Sequence, residues 1–559
     1  MPCLAEPPAD VIVFLLDDMR ADQLGYLPET LSRLADSAVI FDRAYVTTPL
    51  CCPVRASFLT GGYPARQTGV QTNHAPTGGA AAFSDVRTLA TRLQSAGYFT
   101  ALNGKYLNDY EEMSPYVPPG WTDWAAVPEG GSWNTPTLIV GSSGADAPTE
   151  GASRSFDGYL SDVQASAALR ALDAAGDAPL FLYMAFLAPH HPHVPADEDA
   201  GSFADYLYRG GAYEEADVSD KPAWIQATPR MTEDEAVEAD ANNQERLECL
   251  AGVDRAMAAI IDAVRAAGEA EHTVFVLSSD NGMMWREHRM DGKGLGYEES
   301  ARVPLLIANP AFAPRRTDAL VAMDLDVPAT LAALAGLPAE GAGADLSGLL
   351  CGDTDAGRDH VLFESWGGDQ PTWSGLVTDT EKYLETAGGE IEYYDLSTDP
   401  FEERSAHLDP ANASRISALA ATLDAERGLA ISTAALPDAT VGVPYAVRLS
   451  RWGGEGSVTW SLRKGPLPDG LTLNADGLLS GTPTEDGTFN LVITATDSGV
   501  SPVHGGPQRA TEGLPLTVRT RAASIEQGCG CGGSDKAGMP LIGLGLLALR
   551  RRSQTRSRD

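Results

Sequence analysis

Val11-Ile12-Val13-Phe14-Leu15-Leu16-Asp17-Asp18 is the stretch on which the fold turns. Six apolar residues follow one another without the polar alternation of a half-exposed strand, and two aspartates close the run. Strands of a parallel sheet, buried on both faces, read this way. Ligand-binding groups in such sheets sit just beyond the carboxyl ends of the strands. Asp17 and Asp18 fall at that position.

Working outward, the same signal recurs at 99–102, 180–186, 273–278 and 303–308. Helical periodicity occupies 28–37, 85–96, 164–174, about 233–267 and 326–334, and a further helix through Ser57 and onward is expected to begin near the Cys51-Cys52 pair. Strand and helix alternate, so the expected class is α/β, with a mostly parallel sheet and helices on both faces. Between about 359 and 408 the pattern changes to short strands at 359–364, 374–378, 382–386 and 391–395, which predict a small antiparallel sheet. After a helix at 411–427, turn signals and alternation run from about 436 to 520. Roughly eighty residues of short strands predict an all-β sandwich. No aromatic stripe or charge cluster marks a binding face on it, which favours a spacer over a glycan-binding module. The expected division is 9–428, 436–520, and a linker and tail at 521–559.

The chain has 559 residues, more than one ordinary domain holds. Its 77 acidic residues outnumber 40 basic ones, for a formal net charge of -37. That excludes the extended basic surface a nucleic-acid binder needs. It also opposes gripping a long polyanion along its length, so recognition of an anion has to be local to a pocket. The acidic run 233–240 reads as a solvated helix face. Seven cysteines are too sparse for a disulfide scaffold, and no Cys-x-x-Cys pair occurs. Cys249 and Cys351 read as small buried apolar residues.

The chemistry-bearing residues cluster after the expected strands. Asp17 and Asp18 follow the first, and Asp280-Asn281-Gly282 follows the strand closing at Ser279. Two oxygen-donor pairs at the carboxyl ends of parallel strands converge on one ion, and such a hard set suits Ca²⁺ or Mg²⁺ over zinc. Lys105 follows Gly104, and Lys293 lies between Gly292 and Gly294. Ala188-Pro189-His190-His191-Pro192-His193 follows the strand at 180–186. Between the two acidic clusters stands Thr48-Pro49-Leu50-Cys51-Cys52-Pro53-Val54-Arg55-Ala56-Ser57-Phe58-Leu59-Thr60-Gly61. An unmodified cysteine there would offer a soft thiolate to a hard ion.

The Cys-x-Pro-x-Arg pentapeptide with its Leu-Thr-Gly resembles the signature of the type I sulfatases, and the resemblance runs from Val11 to Pro400. It implies an alkaline-phosphatase-like fold. It implies oxidation of Cys51 to formylglycine by a formylglycine-generating enzyme that reads Pro53 and Arg55. The aldehyde hydrate would be the nucleophile on a sulfate ester. Asp17, Asp18, Asp280 and Asn281 would bind calcium together with the modified Cys51, and Arg55 would support the hydrate. Lys105 and Lys293 would contact the sulfate. His190, in Pro189-His190-His191-Pro192, would protonate the leaving group. His288, in Trp285-Arg286-Glu287-His288, would line the pocket. Val54 replaces the commoner serine or alanine. Leu107 stands where many arylsulfatases carry histidine. Gly104-Lys105-Tyr106-Leu107-Asn108 is instead similar to N-acetylglucosamine-6-sulfatases, which points to a carbohydrate sulfate.

The second unit resembles bacterial Ig-like modules through Leu467-Pro468-Asp469-Gly470-Leu471 and Gly477-Leu478-Leu479-Ser480-Gly481-Thr482-Pro483. Gly528-Cys529-Gly530-Cys531, an apolar run at 539–549 and Arg550-Arg551-Arg552 are similar to the C-terminal sorting tails of myxobacterial surface proteins. Eleven helical residues span about 16 Å, short of the ~30 Å bilayer core, so the tail reads as a sorting signal handled by surface machinery. No positive n-region precedes the apolar run at 11–16. The expectation is an exported protein whose native start lies upstream of Met1. The expected activity is sulfuric ester hydrolysis. Two alternatives stay open: a formylglycine-dependent phosphodiester or phosphonate monoester hydrolase, and a non-catalytic glycan-binding surface protein.

Overall fold

Asp10–Leu16 lies in the middle of a ten-stranded sheet, in parallel register with Leu180–Ala185 on one side and Thr273–Ser279 on the other. The computed structural model describes residues 10–128, 131–367, 370–433, 435–454, 456–499 and 507–520. The tail at 521–559, with Cys529 and Cys531, lies outside the described residues, and so does Cys3.

From edge to edge the strands are Arg315–Thr317, Ala38–Phe41, Leu305–Ala308, Thr273–Ser279, Asp10–Leu16, Leu180–Ala185, Phe99–Gly104, Asp123–Ala126, Thr137–Gly141 and Ala152–Ser155. The five from Thr273–Ser279 to Asp123–Ala126 run parallel. Beyond them, Leu305–Ala308, Thr137–Gly141 and Ala152–Ser155 pair antiparallel with their inner neighbours. The sheet is therefore mixed, with its parallel part at the centre.

Alternation along the first strand explains the layers. Val11, Val13 and Leu15 pack with Val54, Phe58 and Leu331, on the helices Cys51–Thr60 and Met323–Leu334. Ile12, Phe14 and Leu16 pack with Leu250, Val253 and Ile260 on Glu233–Ala267, and with Leu160 and Ala171 on Leu160–Ala175. Each fully buried side chain of this size contributes roughly 1.5–3 kcal/mol.

Some local expectations change. The helix expected at 85–96 occupies Leu89–Ser95. The Thr88 hydroxyl accepts from the Thr91 amide at 3.2 Å and starts the helix there, while Asp85 accepts from the Tyr116 hydroxyl at 2.7 Å. Cys351 is half-buried and disulfide-bonded, which corrects the reading of a buried thiol; it ends the short helix Ser347–Cys351 near the surface. Cys249 is buried and free.

The strands His360–Ser365, Trp373–Thr378, Glu381–Thr386 and Ile391–Asp395 form an antiparallel sheet in sequence order. It docks on the main unit where the Glu364 amide donates to the Thr47 carbonyl at 2.9 Å. Beyond the helix Ala413–Glu426, a four-stranded and a three-stranded sheet enclose Trp460, Leu479, Leu491, Ile493, Leu514 and Leu516. This sandwich is tied back where the Arg427 guanidinium lies 4.5 Å from the Trp452 ring centre, and Leu429, in the sandwich core, donates its amide to Gln508 Oε1 at 2.9 Å. Among the described residues no helix is long and apolar enough to cross a membrane.

Candidate active site

Leu16 lies opposite Ser279 in the parallel register, so the two acidic loops leave the sheet side by side. The Asp280 amide donates to the Leu16 carbonyl at 3.0 Å. Asp18 turns the first loop with φ of 70°, a conformation few non-glycine residues adopt. Its amide then reaches Asp280 Oδ1 at 3.2 Å, and Asn281 Nδ2 donates to Asp18 Oδ1 at 2.6 Å. Asp17, Asp280 and Asn281 are fully buried and Asp18 nearly so. Asn281 Oδ1 is buried without a hydrogen-bond partner.

The helix Cys51–Thr60 begins at the cysteine motif, as expected, with Cys51 its first residue, and presents its N-terminal end to this cluster. Such an end favours negative charge. The Cys51 thiol lies 3.3 Å from Asp17 Oδ1. Arg55, one turn on, is fully buried; its Nε donates to Asp280 Oδ2 at 2.8 Å, and its guanidinium lies 3.7 Å from Asp17 Oδ2. Lys105 Nζ donates to Asp17 Oδ2 at 2.6 Å. That reach depends on Gly104, at φ of 114°, where an added Cβ would lie 1.9 Å from the Ala185 carbonyl oxygen. Lys293 Nζ pairs with Asp18 Oδ1 and lies 2.6 Å from Cys51 Sγ.

Asp17, Asp18 and Asp280 thus face Arg55, Lys105 and Lys293. Burial would raise Asp17, but Lys105, His190 and Arg55 outweigh it and hold the carboxyl well below the usual range. Asp18 is likewise held down against burial, by Lys293 and His190. Asp280 stays raised, by burial and the neighbouring Asp17. Burial and Asp17 push the Cys51 thiol well up. One ligand atom each from Asp17, Asp18, Cys51 and Asp280 lies within 4.8 Å of the others. With the free Asn281 oxygen beside them, this is a hard, anionic donor set around a thiol, flanked by fixed cations.

The histidines separate. His190 Nε2 lies 3.8 Å from Asp18 Oδ2, its side chain partly exposed, at the rim of the cluster. His191 is exposed. His193 turns to Arg246, whose Nε donates to His193 Nε2 at 3.0 Å, and burial pushes His193 down to about 3. His288 does not reach the rim: it is fully buried, bonds Glu215 Oε2 through Nδ1 at 2.7 Å and packs on Tyr297. Its turn, with Arg286, His288 and Arg289 all at positive φ, folds it inward.

Three neighbours escaped the sequence reading. Asn73 Oδ1 accepts from the Cys52 amide at 3.0 Å, Gln370 Nε2 donates to the Lys293 carbonyl at 2.9 Å, and Arg246 feels the charge of Asp18. Each approaches from a distant segment, and no local pattern marks it.

Comparison with known proteins follows the same outline. Residues 9–337 match the Sulfatase family, 286–428 the C-terminal family of N-sulphoglucosamine sulphohydrolase, and 428–504 the family described as Putative Ig domain. The chain is 30% identical over 343 residues to human N-acetylglucosamine-6-sulfatase, covering 58% of this chain and 61% of that protein. It is 28% identical over 341 residues to the Drosophila melanogaster extracellular sulfatase SULF-1 homolog, covering 59% of this chain and 30% of that protein. The chain thus spans less than two thirds of the length of these relatives. A solved structure of a protein in complex with its substrate D-glucosamine-2-N,6-O-disulfate superposes with a TM-score of 0.62 at 20% identity, covering 75% of this chain and 97% of that one. At that identity the likeness establishes the fold.

Proposed function

The chain belongs to the sulfatase family, whose profile covers residues 9–337, and from that premise we propose that it hydrolyses sulfate esters of a carbohydrate at residue 51. The observation that carries the reading is Lys293 Nζ at 2.6 Å from Cys51 Sγ, at the mouth of a buried ring of Asp17, Asp18 and Asp280. An ordinary core cysteine has no use for such surroundings.

The residues fit a hard divalent cation, because the buried Asn281 oxygen lacks a partner and three carboxylates crowd beside it. Asp17, Asp18, Asp280, Asn281 and residue 51 would hold Ca²⁺, or Mg²⁺ in its place. When bound, the ion supplies Lewis-acid stabilisation of the sulfuryl oxygens.

The remaining chemistry belongs to the chain. Oxidation of Cys51 to formylglycine, followed by hydration, places two hydroxyls where the thiol stands. One hydroxyl passes its proton to a carboxylate of the surrounding ring as its oxygen bonds to sulfur, the bond from sulfur to the ester oxygen breaks, and that oxygen departs with a proton from His190. Arg55, Lys105 and Lys293 hold positive charge where oxygen charge gathers. Loss of the proton from the second hydroxyl breaks the carbon–oxygen bond to sulfate, which releases sulfate and restores the aldehyde. His288, buried against Glu215, acts only by holding its turn in place.

We assign catalysis to residues 9–428, with the sandwich at 436–520 as a separate folding unit. Maturation requires a formylglycine-generating enzyme. Placement outside the cytosol is supported by the disulfide at Cys351 and by the extracellular sulfatase among the relatives.

The test is product release by the full chain, co-expressed with a formylglycine-generating enzyme and supplied with Ca²⁺. It is given matched aryl sulfate, aryl phosphodiester and glucosamine-6-sulfate. Sulfate from glucosamine-6-sulfate should appear fastest and fall at least ~10³-fold in Cys51→Ala. Mass spectrometry of the Cys51 peptide should find an aldehyde in place of the thiol. Faster phosphodiester cleavage would move the chain to the phosphorus hydrolases. Glycan binding without turnover, unchanged in Cys51→Ala, would make it a binding protein.

A further inference from the structure

Beside Lys293 the surface opens into a cavity of about 440 Å³ whose walls come from both folding units. Asn73, Trp366 and Gln370 line it from the catalytic unit, and Thr511 and Glu512 from the strand Arg509–Arg519 of the sandwich. Lys293 lines the same cavity and touches Cys51, so whatever fills the space adjoins the reacting centre.

The polar side chains facing this space include donors, Lys293 and Thr511 among them, and the acceptors of Glu512 and Gln370. Among the described residues no side chain donates to or pairs with the Glu512 carboxylate. Gln370 Oε1 is buried without a partner, while its Nε2 donates to the Lys293 carbonyl. Trp366 offers an indole wall and is nearly buried. Glu512, which among the described residues accepts from the Gly513 backbone amide alone, and Gln370 leave acceptor capacity against an aromatic wall, which suits a group rich in hydroxyl or amine donors. Above about pH 7, where Glu512 is ionised, a carboxylate or second sulfate at close range would be repelled by it. Burial pushes the Glu512 carboxyl up to about 7, and its carbonyl oxygen accepts in either charge state. The strand is held in place one residue upstream, where Gln508 Oε1 accepts from the Leu429 amide.

We propose that this cavity is a sugar subsite completed by the Ig-like unit, in which Glu512 and Gln370 select an uncharged or amine-bearing residue next to the sulfated one. The sandwich is then a specificity element and not a spacer. The inference rests on the sulfate-ester reading of the Cys51 site.

Two measurements on the full chain test it. The first is calorimetric binding to protein whose Cys51 is unmodified. The probes are 6-sulfated N-acetylglucosamine linked to galactose, the same sugar linked to glucuronate, and 4-nitrophenyl sulfate. The second is turnover of the same probes by matured protein. Glu512→Ala should weaken binding of the galactose-linked probe and raise its KM by about tenfold, with kcat within about twofold. It should leave 4-nitrophenyl sulfate unchanged and narrow the preference for galactose over glucuronate. Glu512→Gln should restore most of the galactose-linked binding. Equal effects on all three probes, or none, overturn the subsite. If binding depends on Glu512 but matured protein releases no sulfate, the hydrolase reading falls and the subsite stands. If sulfate is released and Glu512→Ala is silent, the reverse holds.

Discussion

Arg55 holds two buried carboxylates at once, Asp280 at 2.8 Å and Asp17 at 3.7 Å, with no exposure of its own. Removing one partner of a buried ion pair strands the other, at about 3–5 kcal/mol. Arg55→Ala should therefore lower the thermal unfolding midpoint clearly and abolish turnover. Arg55→Lys keeps the charge but loses the planar fork, and should recover part of the stability and little of the activity. His288 sets a pH limit. Burial pushes it down to about 3 in the folded chain, whereas the unfolded chain regains about 6.5. Between these values the unfolded state binds a proton that the folded state does not. Stability from this group is therefore complete above pH 6.5 and is lost as pH falls toward 3. At pH 5 the loss amounts to about 2 kcal/mol. Thermal unfolding at pH 7.5 and 5 should show a smaller drop in His288→Phe than in the unsubstituted protein. Equal drops would exclude His288 as the titrating group.

The helix Glu233–Ala267 runs 35 residues, and its first turns, carrying the acidic run, are mostly exposed. Its start is written locally. The Thr232 hydroxyl accepts from the Glu235 amide at 3.3 Å, and Glu235 Oε2 accepts from the Thr232 amide at 2.8 Å. Thr232→Ala should cost about 1 kcal/mol by denaturant unfolding and leave sulfate release unchanged, since the cap lies at the outer end. The short helix Cys51–Thr60 behaves differently. Nine of its ten residues are buried, so packing and not propensity holds it, and Pro53 is tolerated because it sits in the first turn. Its beginning near the cysteine motif was legible, but its first residue was not, since Leu50 supplies no capping side chain. The loop Gly292–Gly294 shows the same division: the glycines announce a turn, but only the fold brings Lys293 back to Cys51, 242 residues away.

For the whole molecule, three buried acids gather on two neighbouring strand ends, so the cation proposed to sit there would stabilise the fold. A ligand at a hundred times its Kd stabilises the folded state by about 2.7 kcal/mol. Adding Ca²⁺ to chelator-treated protein should raise the unfolding midpoint, and Mg²⁺ should raise it less. No shift with either ion would remove the metal from the site. The sequence by itself determined the α/β class, because an unbroken apolar run such as 11–16 is tolerated only where both faces of a strand are covered. It also marked Asp17, Asp18, Lys105, His190, Asp280, Asn281 and Lys293 as candidates, because polar residues in turns after buried strands stand out, and Cys51 and Arg55 through the resemblance of their pentapeptide. The tertiary structure alone decided that the sheet is mixed, that residues 111–158 extend it with edge strands, and that His288 faces inward to Glu215. It alone carried Asn73, Gln370 and Glu512 to the mouth of the site. Strand pairing order and the docking of one unit on another arise from contacts between segments tens to hundreds of residues apart. The hydrophobic effect that drives them is non-directional, and no local pattern records which segments meet.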